Sequence, residues 1–104
     1  MPKIRLTVAY NQPPDADVFF KHYESVHVAL AKKIPRLETF EWSRVVATPT
    51  GDPPRYALLA ELTFASMDAF GTGLGSPEGQ AAAADVGEFA ANGADMFISE
   101  VADS

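Results

Sequence analysis

The sequence predicts a single α+β domain, spanning residues 1–104, with the element order strand, helix, strand, strand, helix, strand. In three segments apolar residues recur at every second position, which is typical of strands. Between the first and second of these, apolar residues recur at every third or fourth position, which is typical of an amphipathic helix. A chain of 104 residues has room for one ordinary domain and not for two.

The first strand is predicted from Lys3 to Tyr10, because apolar and polar side chains alternate along it. The segment Asn11-Gln12-Pro13-Pro14 ends this strand, since proline has no N–H to donate to a sheet. Asp15 is the predicted N-cap of the helix that follows, because its carboxylate can accept from a free backbone N–H.

The first helix is predicted within the segment from Phe19 to Leu37. Five residues at steps of three or four form its apolar stripe: Phe19, Tyr23, His27, Leu30 and Ile34. Pro35 disfavours the helical conformation of the residue before it, so we expect the helix to end at Ile34. His22 lies about 100° around the helix from Tyr23, and we expect it to face solvent.

The second and third strands are predicted over Leu37 to Ala47 and Tyr56 to Ala65, joined by a loop from Thr48 to Pro54 that is rich in proline. The third strand is apolar on both sides, which indicates a central strand that is covered on both faces.

A second helical region begins at Ser66, a predicted N-cap. Three glycines are expected to break this helix: Gly71, Gly73 and Gly75. Ser76-Pro77-Glu78 is a new start signal, and the alanine-rich run from Gln80 to Val86 follows it. The last strand is predicted from Asp95 to Val101.

This element order is that of the split βαβ, or ferredoxin-like, fold. It predicts a four-stranded antiparallel sheet with both helices on one face. Because the other face is apolar enough to require a cover, we expect a homodimer in which two sheets pack face to face as an α+β barrel.

The composition argues against several kinds of partner. A formal net charge of −6 does not suit nucleic acid or an anionic membrane surface, since both attract basic proteins. The chain has no cysteine, which excludes disulfides, thiolate metal sites and a cysteine nucleophile. The N-terminus lacks a signal-peptide pattern and no apolar run is long enough to span a bilayer, so we expect a cytoplasmic protein. No metal and no cofactor are predicted.

Several strings resemble the EthD family of the dimeric α/β-barrel superfamily: LTVAYNQP, YESVHVALAKKIPRL, YALLAELTFASMDAF and, most distinctively, SPEGQAAAADVGEFAANG. The resemblance implies a homodimeric barrel with a cavity between helix and sheet, and it places His27 at the family's histidine position. Superfamily relatives include muconolactone-type isomerases, cofactor-free monooxygenases, polyketide cyclases and haem-degrading enzymes. The chain departs from the family's pattern at Val28-Ala29, at Arg36 and over Gly71 to Gly75.

His27 and Tyr23 are the candidate catalytic residues. In an apolar pocket, burial would keep the His27 ring neutral and able to take a proton near pH 7. The alternative is a structural histidine that is hydrogen-bonded within the core. The Tyr23 hydroxyl could orient a ligand carbonyl, or it could belong to a core aromatic residue whose hydroxyl reaches the surface.

Five residues are candidates for substrate binding: Phe40, Trp42, Arg44, Tyr10 and Tyr56. Phe40 and Trp42 could form the flat wall of a pocket, or they could simply pack beneath the first helix. Arg44 could hold an anionic or enolate oxygen, or it could form an ion pair at the end of the strand. The two tyrosines fall at strand ends, where pocket rims form.

These residues predict a small cofactor-independent enzyme that moves a proton next to a carbonyl, with His27 as the base. Its substrate would be a small hydrophobic, oxygenated compound of aromatic, polyketide-like or lactone type, and its reaction an isomerisation, dehydration or cyclisation. Two alternatives stay open at this point: a homodimer that binds a ligand without catalysis, and a haem- or oxygen-dependent monooxygenase.

Overall fold

A computed structural model describes residues 2–102 of the chain. Its elements are β1 (Ile4–Asn11), α1 (Ala16–His22), a π-helical turn (Tyr23–His27), α2 (Val28–Lys32), β2 (Leu37–Arg44), β3 (Tyr56–Phe64), α3 (Met67–Gly75), α4 (Pro77–Phe89) and β4 (Ala94–Glu100). The four strands form one antiparallel sheet in the order β2-β3-β1-β4. The predicted α+β, ferredoxin-like fold is therefore confirmed.

Both helical regions pack on the same face of the sheet. Leu6 and Val8 of β1 lie opposite Leu62 and Ala60 of β3, and all four belong to the buried core. The first helix adds two residues to this core, the segment just after it adds one, and the second helical region adds two: Phe19, Tyr23, Ile34, Ala69 and Ala82. The core thus lies between the sheet and a single layer of helices, as expected for this fold.

The opposite face of the sheet is a mixture of polar and apolar side chains. Arg5 and Glu61 form an ion pair across β1 and β3 at 3.3 Å. Phe97 of β4 is 56% exposed, and Leu59 of β3 is half-buried. We call this surface the open face.

The first helix is continuous through the π turn. Asp15 caps it as predicted, since its carboxylate accepts from the Val18 N–H at 3.2 Å. The helix ends at Lys32, two residues before the predicted end at Ile34. Arg36 then adopts a φ of 69°, in the left-handed region that favours glycine.

The expectation that glycines break the second helical region was wrong, because α3 continues to Gly75. Tertiary packing outweighs the weak helix propensity of glycine here. A Cβ atom on Gly73 would lie 2.5 Å from the Pro35 carbonyl oxygen, so only glycine allows this close approach. The break falls at Ser76, whose hydroxyl donates to the Gly73 carbonyl at 2.6 Å and accepts from the Gly79 N–H at 3.0 Å.

Among residues 2–102, no helix combines the length and the apolar character that crossing a bilayer requires.

Candidate active site

An apolar cavity lies between the helices and the sheet. It measures about 70 Å³. Its walls are mostly aliphatic and aromatic side chains from every layer of the fold, among them Leu6, Val8, Leu62, Ile34, Phe40 and Val86. Only His27 and Tyr10 bring side-chain N–H or O–H groups to this lining, so among the described side chains any directional contact inside the cavity involves them.

His27 is the last residue of the π turn, and it is 6% exposed. Its Nδ1 lies 2.9 Å from Oδ2 of Asp85. Because a carboxylate only accepts hydrogen bonds, Nδ1 carries the proton and Nε2 keeps its lone pair. Burial lowers the pKa of His27, although Asp85 acts in the opposite direction, so the ring is neutral at pH 7.

Asp85 of α4 accepts hydrogen bonds from both histidines. It was not among the site residues predicted from the sequence. It is 9% exposed, and its second oxygen, Oδ1, lies 2.8 Å from Nε2 of His22. A signal for it was present, since Ala82, Asp85, Val86 and Phe89 follow helical spacing. An acidic side chain on the buried stripe of an alanine-rich helix needs a partner, because an unpaired buried charge is costly.

The expectation that His22 faces solvent holds only in part. Its side chain is 31% exposed, bonds to Asp85, and stacks on Phe89 with ring centroids 5.1 Å apart. The π turn explains the difference, since the Val28 N–H bonds to the Tyr23 carbonyl five residues back. In an α-helix residues five apart point about 140° away from each other. The wider turn reduces this angle, so His22 and His27 reach the same carboxylate.

Tyr23 is fully buried behind the cavity. Its ring packs against those of Tyr10, His27, Trp42 and Phe89, with centroids 5.1 to 5.8 Å apart. Its hydroxyl has no hydrogen-bond partner among the residues that the structure describes. Burial raises the pKa of both Tyr23 and Tyr10 above the usual range, so both phenols remain protonated hydrogen-bond donors.

The structure brings together most of the predicted site residues, but not all. Phe40 and Tyr10 line the cavity, and Trp42 packs edge-on against Tyr23 beside it.

Arg44 and Tyr56 lie outside the cavity lining. Arg44 is exposed, pairs with Glu24 at 3.2 Å and stacks over the ring of Phe20. The Tyr56 hydroxyl donates to Asp95 at 2.6 Å, which ties β3 to β4.

No group of three or more His, Asp or Glu side chains within residues 2–102 is placed to hold a metal ion. A porphyrin is far larger than the cavity between these side chains, so the residues present do not fit a haem in this arrangement.

Comparison with known proteins places the chain among small proteins of one family. The EthD domain family matches residues 11–93, a range that includes His22, His27 and Asp85. An uncharacterised 11.0 kDa protein of Rhodococcus erythropolis, from the thcB-thcC intergenic region, is 41% identical over 96 residues, which cover 92% of each chain. The crystal structure of an EthD family protein from Bacillus halodurans superposes with a TM-score of 0.91 at 28% identity, covering 96% of this chain and 99% of that one.

Other solved structures share the fold at identities too low to transfer a function. A hydroxynitrile lyase from Passiflora edulis has a TM-score of 0.77 at 14% identity, and the match covers 100% of this chain and 98% of that one. The cofactor-independent oxygenase SnoaB from Streptomyces nogalater has a TM-score of 0.71 at 10% identity, with 100% and 97% covered. A dimeric ferredoxin-like protein from Thermobifida fusca has a TM-score of 0.70 at 17% identity, with 97% and 91% covered.

Proposed function

The chain belongs to the EthD domain family, and we propose that it is a cofactor-independent enzyme that moves a proton next to a carbonyl group. One observation carries the proposal. His27 lines a largely apolar cavity, and its Nε2 keeps a free lone pair while Asp85 holds Nδ1 at 2.9 Å. A neutral imidazole oriented by a carboxylate is a common arrangement for a general base.

In the proposed reaction, Nε2 of His27 removes a proton from the carbon beside a carbonyl. The C–H bond breaks, its electron pair forms an enolate, and His27 becomes an imidazolium. The Asp85 carboxylate stabilises this imidazolium because it already accepts the Nδ1–H. His27 then returns the proton to a different carbon in an isomerisation, or to a leaving hydroxyl in a dehydration.

The enolate oxygen needs a hydrogen-bond donor, and two neutral phenols are near His27. Tyr10 lines the cavity, and the buried hydroxyl of Tyr23 has no partner among the described residues. We assign the donor role to Tyr10, which lines the cavity, and we assign the Tyr23 hydroxyl, which lies behind it, to strengthening that donor as a second hydrogen-bonding group. A donor already in place at a developing oxyanion lowers the barrier without reorganisation.

The cavity walls define the class of substrate. They are apolar and offer no lysine or arginine among the residues described, so a charged compound would lose its hydration without compensation. A small aromatic, polyketide-like or lactone compound meets this condition of polarity, and the cavity of about 70 Å³ favours the smallest of these, the lactones. The more distant fold neighbours, an oxygenase and a lyase, support an enzymatic role for this scaffold.

We also propose that the protein is a homodimer that packs through the open face. Phe97 and Leu59 leave apolar surface there, and a fold neighbour from Thermobifida fusca is described as dimeric. Light scattering should give a mass twice the 11.2 kDa of one chain. A mass equal to one chain would exclude the dimer.

The proton transfer can be tested without knowing the natural substrate. The protein is incubated in D₂O with a panel of cyclic ketones and lactones, and NMR follows the loss of the proton signals next to each carbonyl. We expect the wild-type protein to accelerate this exchange for at least one probe, and His27→Gln to lower the rate by about 10²-fold or more. The matched control is Lys21→Gln, which changes an exposed residue on the same helix.

Binding is measured in the same samples through the fluorescence of Trp42, the single tryptophan of the chain. A His27→Gln protein as active as wild type would contradict the assignment of the base. Probes that change the fluorescence but never exchange would instead support a binding protein without catalysis.

A further inference from the structure

Asp85 binds two histidines at once, and the two rings reach different spaces. His27 lines the inner cavity. His22 lines a surface cleft of about 220 Å³ near the start of α1 and the end of α4, where Pro14, Asp15, Glu88 and Phe89 are among its neighbours. The carboxylate therefore connects a buried ring with one that solvent can reach.

The two histidine rings share two neighbours: the apolar ring of Phe89 and the polar carboxylate of Asp85. The Phe89 ring packs against His22 and against His27, with centroids 5.1 and 5.0 Å apart. Oδ1 of Asp85 bonds to His22 at 2.8 Å and Oδ2 bonds to His27 at 2.9 Å. Each imidazole thus has its own oxygen, and a change of charge on one ring acts on the other through one shared anion.

We propose that His22 is a positioning residue of the site, which sets the basicity of His27 from the solvent side through the Asp85 carboxylate they share. This inference rests on the proposed function only in its use of His27 as the catalytic base. The coupling between the two rings stands on the geometry alone.

The chemistry follows from the charge balance of the three groups. One carboxylate compensates one imidazolium. When His22 is neutral, a proton on Nε2 of His27 makes the group of three neutral, which is favourable. When His22 is already protonated, the same step adds an uncompensated positive charge, unless His22 releases its Nδ1 proton to water. Proton uptake in the cavity is therefore coupled to proton release at the surface.

The two histidines are the side chains beside Asp85 that can carry a positive charge. No lysine or arginine among the described residues lines either the inner cavity or the outer cleft. Asp15 and Glu88 are the charged residues that line the cleft of His22, and both are acidic. Tyr23 packs against His27 and Tyr10 lines the same cavity, and both stay neutral because burial raises the pKa of each phenol.

The test is an NMR titration of the ring protons, which requires no substrate. The chain contains two histidines, so the His22→Gln spectrum assigns both signals. In the wild-type protein we expect the His27 signal to titrate in two steps, one of them at the pH where His22 titrates. In His22→Gln the His27 signal should titrate in one step, at a pH about one unit higher, because the competing charge is absent. Gln at this position can still donate a hydrogen bond to Asp85.

Two further variants test the direction and the specificity of the change in the His27 midpoint. Asp85→Asn should move the His27 midpoint about one pH unit lower, because the compensating anion is lost. Lys21→Gln, beside His22 in sequence but exposed, should leave the midpoint unchanged.

A His27 signal that titrates in a single step in the wild-type protein, with an unchanged midpoint in His22→Gln, would overturn the inference. If His22→Gln does not fold, the wild-type titration alone decides. Failure of every probe to exchange in D₂O would remove the proposed reaction and leave this coupling intact. Where a probe does exchange, the pH at which the exchange rate falls to half on the acid side should shift in His22→Gln by as much as the His27 midpoint. If His22 were merely structural, its loss would instead lower the exchange rate equally at every pH.

Discussion

Replacing Tyr23 by Phe should stabilise the protein and impair its proposed reaction. The Tyr23 hydroxyl is buried without a hydrogen-bond partner among the described residues. A buried polar group without a partner costs about 1–3 kcal/mol of stability. The Phe ring keeps the aromatic contacts that surround this position, since they involve the ring and not the hydroxyl.

The free energy of unfolding of Tyr23→Phe should therefore rise by about 1 kcal/mol or more. In a domain of this size each kcal/mol raises the melting temperature by roughly 4–8 °C. Calorimetry measures the melting temperature, and urea unfolding measures the free energy. The rate of proton exchange in D₂O should also fall, but by less than the roughly 10²-fold expected on removal of a direct oxyanion donor, because Tyr23 acts through Tyr10.

Tyr56→Phe is the matched control, with the opposite expected sign. Its hydroxyl donates to Asp95 at 2.6 Å, so its removal should lower the free energy of unfolding by about 0.5–1.5 kcal/mol. If Tyr23→Phe is destabilised as much as Tyr56→Phe, the Tyr23 hydroxyl has a partner in the free protein, and the reasoning fails. A more stable Tyr23→Phe protein with full exchange activity would instead remove Tyr23 from the reaction.

Three other predictions concern the scaffold. Gly73→Ala should lower the free energy of unfolding by about 1–3 kcal/mol in urea unfolding, because its Cβ would meet Pro35, whereas Gly71→Ala in the same helix has open space and should not. Ser76→Ala should cost about 0.5–2 kcal/mol by the same measurement, because it removes the cap of α4. The free energy of unfolding should be at its full value above pH ~6.5 and should fall as the pH drops below it. Burial lowers the pKa of His27 in the folded protein, so the unfolded chain binds the proton more readily. In His27→Gln the free energy of unfolding should depend less on pH in this range.

The fold could be predicted because its signals are local or periodic. Alternation along β1 and β3 fixed the side of the sheet on which Leu6, Val8 and Leu62 lie, and the register of the strands confirms it. The caps at Asp15 and Ser76 depend on hydrogen bonds within three residues, so their side-chain types are enough to predict them.

The site was only partly predictable because its key contacts are distant in the chain. His27 could be chosen as a polar group on an apolar stripe, but its partner Asp85 lies on another helix, and their contact depends on how the two helices pack. The segment YESVH reads as an ordinary α-helix, so nothing local showed the π turn that turns His22 inward. The predicted break of the helix at the glycines of α3 failed for the same reason, since the contact of Gly73 with Pro35 is tertiary.

The π turn also bears on how such a site can evolve. A turn closed by a bond between residues five apart contains one residue more than an α-helical turn. Deleting the exposed Ser25 would restore a regular helix and rotate the preceding segment by about 100° relative to His27. His22 would then leave Asp85, although none of the three residues had changed. A two-histidine site of this kind can thus be gained or lost through a single inserted or deleted codon, within a fold that stays the same.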